Sequence, residues 1–305
     1  MTSLFDIASC PCLYSVGFLR PHITTFGGGI TIVKRLIAAG LTLLFVSGPS
    51  MADHAWSNYH WARDTNSFDL IFVNSTTTNW DSYVSQAFSD WNASAVLNMV
   101  EDASGDTSNK TRRRCSGPEG QVRVCNLAYG NTGWLGIAGI SIDSNGHITT
   151  GYTKLNDTYF DQAFYDTPAW RQSVTCQEVG HNVGLGHQDE NFNNTSLLSC
   201  MDYQDPPFPS PNAHDYEQLS TIYAHTDTYN SYAAGDTGGG GGGGDGGGVC
   251  NAPPGKGCNK AGIGSQNAAT GWGISLGRHG QQETFMRIDP DGTRHIVHVT
   301  WAIGH

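Results

Sequence analysis

The sequence predicts an α+β fold, and three observations predict it. Several short β-rich runs are bounded by turn residues, two segments repeat apolar residues at helical spacing while a third opens on a helix cap, and a glycine tract parts these from a short β-rich tail. Phe68 to Val73 is the first strand by composition. Trp80, Tyr83, Val84, Ala87, Phe88 and Trp91 then recur on one helical face behind an Asn79 cap, which predicts a helix over 80–92. Strands follow at Val96 to Val100, Val122 to Ala128, Gly136 to Ile142 and His147 to Leu155, with Asp143-Ser-Asn-Gly146 as the turn joining the last two. Thr167 as cap with Pro168 in the first position opens a second helix. A third covers about Asp215 to Ala224, with Tyr216, Leu219, Ile222 and Tyr223 on one face.

The chain has 305 residues, 38% of them hydrophobic and 14% charged, which suits a packed protein and neither a disordered acidic chain nor a multi-span membrane protein. A net charge of -11 leaves no cationic surface to displace counterions from a phosphate backbone, so nucleic acid is excluded as a partner. Lys34-Arg35 followed by the apolar run Leu36 to Val46, then small residues before Asp53, has the layout of a secretory signal and is too short to span a membrane. Residues 1–52 are therefore read as a leader plus signal, with translation starting near Val33 of a bacterial gene and the product exported.

Gly235 to Gly248, interrupted only by Asp236, Thr237 and Asp245, reads as a tether between a main domain at 53–234 and a small module at 249–305. In that module Glu283 to Ile288 and Arg294 to Trp301 flank Asp289-Pro-Asp-Gly292 as a β-hairpin, which needs docking or a disulfide to persist. Of the eight cysteines, Cys10 and Cys12 fall in the leader. The rest pair by proximity as Cys115 with Cys125, Cys176 with Cys200 and Cys250 with Cys258, the even count of an exported protein. No Cys-x-x-Cys or free-thiol arrangement offers a competing chemistry after residue 52.

Residues 177–187 carry the chemistry: Gln177-Glu178-x-x-His181-x-x-Gly184-x-x-His187. On a helix, positions 177 and 181 share a face one turn apart, Glu178 lies beside them, and Gly184 lets the chain turn so that His187 returns to the same ion. The pattern resembles the metzincin clan of zinc metalloproteases, in its matrixin-like bacterial branch. Ser199-Cys200-Met201-Asp202-Tyr203 resembles that clan's methionine turn, with Met201 as the floor. The resemblance covers about 66–226. It implies a mixed twisted sheet, Zn2+ on His181 and His187, Glu178 as general base in peptide-bond hydrolysis, and a polypeptide substrate added as a strand along Gly136 to Ile142. Residues 53–66 lack the cysteine of a matrixin thiolate switch.

The sequence departs from the clan at its first ligand, where Gln177 stands for histidine. Three arrangements are open. Gln177 ligates through its amide oxygen; or Asp189, His147 or His214 substitutes; or the domain is a protease-like secreted binding protein without catalysis. His214 and His225 are otherwise read as ordinary core histidines. The Asp143 to Asn145 loop is a possible structural Ca2+ site, a Cys176–Cys200 bridge would clamp the helix to the methionine turn, and the protein is expected to be a monomer.

Overall fold

A computed structural model describes residues 53–233 and 271–304. The leader, the glycine tract, Cys250 and Cys258 lie outside the described residues. The strands are β1 (His60–Trp61), β2 (Phe68–Asn74), β3 (Leu97–Asp102), β4 (Val122–Leu127), β5 (Trp134–Ile142), β6 (His147–Asn156), β7 (Ile274–His279), β8 (Gln282–Ile288) and β9 (Arg294–Trp301). The helices are α1 (Thr78–Trp91), α2 (Asn109–Arg114), α3 (Asp157–Phe160), α4 (Pro168–His181) and α5 (Ala213–Ile222).

All the strands join one mixed sheet in the order β3-β2-β4-β6-β5-β9-β8-β7, with β1 pairing separately to β6. The β3, β2, β4 and β6 pairings are parallel, and β6, β5, β9, β8 and β7 continue the sheet antiparallel. The expected α+β class is therefore present. The middle of β2, buried on both faces, needs the near-continuous apolar run Leu70-Ile-Phe-Val73. The apolar face of α1 lies against α4, and Trp91 Nε1 donates to the Cys176 carbonyl at 3.0 Å.

Helix α4 starts as its sequence dictates: Thr167 accepts from the Trp170 amide at 3.2 Å and Pro168 supplies the first turn. Helix α1 begins earlier than expected, after Thr77 instead of Asn79. The cause is tertiary, because Asn126 accepts the Thr77 amide at 2.7 Å and fixes the chain there. Helix α5 also begins two residues early, since Asn212 and Asp215 form a capping box. Cys115–Cys125 and Cys176–Cys200 are disulfide-bonded, the second tying α4 to the 199–203 turn. Among the described residues no helix is long and apolar enough to cross a membrane.

The C-terminal strands extend the main sheet. Strand β9 pairs antiparallel with β5 from Ile142↔Arg294 to Trp134↔Trp301. Trp134, Ile137, Trp272, Phe285, Val297, Val299 and Trp301 close a second apolar cluster on that part of the sheet. This corrects one expectation: the Gly136 to Ile142 edge, assigned to a substrate strand, is already paired along its length. The docking buries apolar surface that a lone hairpin would leave wet. The outer edge of this half of the sheet is β7, a strand absent from the sequence reading because it is short, mostly exposed and broken by Gly277.

Candidate functional site

Helix α4 carries Gln177, Glu178 and His181 into the interior, all buried. Beyond its end, Gly184 adopts φ +97°, and a Cβ there would stand 2.3 Å from the Tyr59 carbonyl oxygen, so the turn demands glycine. The chain doubles back and sets the His187 ring 4.6 Å from that of His181. A third imidazole arrives from β9: the His298 ring lies 4.1 Å from His181 and 4.7 Å from His187. One nitrogen from each ring falls within 4.8 Å of the other two, a spacing that allows a shared ion. The fit to an ion rests on the donor set.

That donor set is unusually uncommitted. His181 Nδ1 meets the Leu185 carbonyl at 2.7 Å; a carbonyl only accepts, so Nδ1 carries the proton and Nε2 keeps a bare lone pair. His181 Nε2, His298 Nδ1 and Glu178 Oε2 are all buried without a hydrogen-bond partner. An orphaned buried polar atom costs about 1–3 kcal/mol, and three around one point fit a site built for a cation or a polar ligand. Burial holds His181 and His298 down to about 3 and His187 well below its ordinary value, so all three rings are neutral, the form that ligates. For His181 and His187 the neighbouring imidazoles push the same way.

Glu178 is enclosed beside them. Burial pushes its carboxyl up to about 7, against the opposing pull of His181 and of hydrogen bonds from Thr300 and the Ala138 amide. Thr300 Oγ1 donates to Oε1 at 2.5 Å, and Oε2 points toward His298 Nδ1, 3.9 Å away. Strand β5 can approach this closely only because of Gly136, where a Cβ would come within 2.6 Å of Glu178 Oε1. Below the helix, Met201 is fully buried with its Sδ 2.9 Å from the Cβ position of Gly180. The turn around it is anchored by Ser199, which donates to Asp215 at 2.6 Å and accepts the Met201 amide at 2.9 Å.

Gln177 borders the cluster without completing it: its Nε2 donates to His187 Nε2 at 2.8 Å. The remaining candidates lie elsewhere. Asp189 accepts the Asn191 amide at 2.7 Å within its own loop. His147 belongs to a group with His60 and Asp227, and the His214 ring lies tilted 4.8 Å from that of His54. Asp143 in the expected Ca2+ loop spends its carboxylate on the Asn145 and His147 amides and on Tyr229.

Sequence reasoning missed His298, Thr300 and Tyr203. The hydroxyl of Tyr203 lies 3.1 Å from His187 Nε2. For His298 and Thr300 the available signal was alternation, since both share the buried face of β9 with Ile296 where a core strand would carry apolar side chains. A cleft of about 260 Å³ reaches the three imidazoles between Trp56 and the β7–β8 strands, lined also by His279, Gln282 and Thr284. No protein-family model matches this chain, and no curated protein matches it either.

Proposed function

We propose that this protein is an exported zinc endopeptidase of metzincin type in which His298 takes the place of the missing first histidine. The observation that carries the reading is the convergence of His181, His187 and His298 on one point beside Glu178, with His181 Nε2 and His298 Nδ1 left without hydrogen-bond partners. Three neutral imidazoles suit a borderline cation such as zinc and leave one position open. Zinc held there would supply Lewis acidity toward a water and a scissile carbonyl.

The chain's own residues do the rest. Thr300 fixes one oxygen of Glu178, so the other is free to take a proton from water and return it to the leaving amine. His181 is kept in a single tautomer by the Leu185 carbonyl. Tyr203 offers a hydroxyl donor at the same place. With β5 paired to β9, an extended polypeptide is routed to the cleft beside Trp56, where β7, the outermost strand among the described residues, contributes Gly277 and His279. The Cys115–Cys125 and Cys176–Cys200 disulfides support an oxidising destination.

The test is proteolysis of an unstructured polypeptide by the purified full chain. Chelation should abolish cleavage, zinc should restore it, and Glu178→Gln should lower turnover by about 100- to 10,000-fold. Undiminished cleavage by the Glu178→Gln protein would refute the assignment. One observation favours a second reading, a latent protease: β9 covers the strand a substrate would use, so that His298 obstructs instead of ligating.

A further inference from the structure

A second group of imidazoles lies apart from the α4 site, where β1, the first residue of β6 and the segment after α5 meet. We propose that His60, His147, His225 and Asp227 form a second divalent-cation site, tetrahedral and of zinc type, independent of the peptidase reading.

The distances carry it. His60 Nε2 lies 3.1 Å from His225 Nε2 and 3.6 Å from Asp227 Oδ2. His147 Nε2 lies 3.4 Å, and His225 Nε2 3.7 Å, from Asp227 Oδ1. A tetrahedron of nitrogen and oxygen ligands about 2.0–2.1 Å from zinc has edges of about 3.3 Å. The three separations among the atoms left for the ion, 3.1, 3.4 and 3.7 Å, bracket that edge. The His60 ring also stands 4.7 Å from that of His147 and 4.8 Å from that of His225, each pair nearly perpendicular, so His60 is flanked by both rings.

The outward-facing atoms agree. His60 Nδ1 meets the Asn58 carbonyl at 2.9 Å, so the proton sits on Nδ1 and Nε2 faces inward as a lone pair. His147 Nδ1 meets the Tyr229 hydroxyl at 2.6 Å, and Tyr229 in turn donates to Asp143. Asp227 Oδ2 accepts the Arg63 amide at 3.0 Å, which leaves Oδ1 for an ion. Outer partners that fix tautomer and orientation in this way are what ligating histidines use. With no cation, the His60–His225 contact at 3.1 Å needs a proton on one inward nitrogen; with a cation all the inward lone pairs are used at once.

Such an ion would staple β1 to the segment beyond α5. The β1 strand follows directly from Trp56 and Tyr59, which line or border the α4 site, so the staple holds one wall of the cleft.

The experiment is metal counting on chelator-treated full-length protein reloaded with zinc, paired with cobalt(II) absorption and thermal melting. Wild type should hold two equivalents. His225→Ala, whose side chain is 55% exposed and can be removed without opening the core, and Asp227→Asn should each lose one equivalent and the matching zinc-dependent rise in melting temperature. Affinity at that site should fall at least about 100-fold. A double His181→Ala/His187→Ala chain should lose only the other equivalent. Equal zinc content in wild type, His225→Ala and Asp227→Asn would overturn the proposal. If wild type holds a single equivalent that His225→Ala abolishes, the second site stands and the peptidase reading fails; if His225→Ala retains it, the second site fails.

Discussion

Lys154 lies on β6 with no solvent exposure, its amine 5.7 Å from the Tyr129 ring and 5.3 Å from that of Tyr152. Burial pulls its ammonium down to about 7. The unfolded chain keeps an ordinary lysine, so between about pH 7 and 10.5 the unfolded state binds the extra proton and stability rises with pH. Below the folded value the full cost of burial remains. Denaturant unfolding from pH 7 to 9.5 should therefore show stability climbing by up to about 1.4 kcal/mol per pH unit. Lys154→Met should flatten that slope; an unchanged slope would show that the amine is charged in the native state. The same scale separates what the sequence discloses from what it hides. Glu178, His181 and His187 are legible because helical periodicity and one obligatory glycine dictate their meeting. His298 is not, because its partner is chosen by strand register far along the chain.

At the scale of elements, α4 is held to the turn below it by the Cys176–Cys200 bridge, the Trp91 hydrogen bond to Cys176 and the contact of Met201 with Gly180. Closing a loop of 24 residues restricts the unfolded chain by about 3 kcal/mol. The paired substitution Cys176→Ser/Cys200→Ser should cost that amount in equilibrium unfolding, and an unaltered midpoint would contradict it. Helix α4 was readable to the residue because its start signals are local, Thr167 and Pro168. Helices α1 and α5 were displaced by two residues each: in one, Asn126 from β4 overrides the local cap, and in the other an Asn212–Asp215 box begins the helix before its apolar stripe. Strand β7 escaped notice because an exposed edge needs no apolar alternation.

At the scale of the molecule, the C-terminal strands extend the sheet and present His298 to His181 at the end of α4 and to His187 beyond it. His298→Ala separates the two readings of the site. If His298 ligates, zinc affinity should fall by about 100-fold or more, measured by competition with a chromophoric chelator, and cleavage should fall with it. If it obstructs, the same substitution should leave zinc bound and raise cleavage. A circular-dichroism melt of the variant checks that the sheet survives. None of this could be read before the fold was known, because the sequence shows two apolar runs on either side of the tether and nothing in their composition says which edge one offers the other.

The alignment of β9 on β5 has a consequence of its own. His298 stands opposite Ala138, with Ile296 and Thr300 one step away on the same face. A slide of two residues would keep every apolar side chain on its proper side yet bring an isoleucine or a threonine where the third ring belongs. Trp134 against Trp301, with Trp272 packed beside them, acts as the indexing pin that forbids it. Molecules that finish folding one notch out would keep the paired sheet yet lack the third imidazole beside His181 and His187.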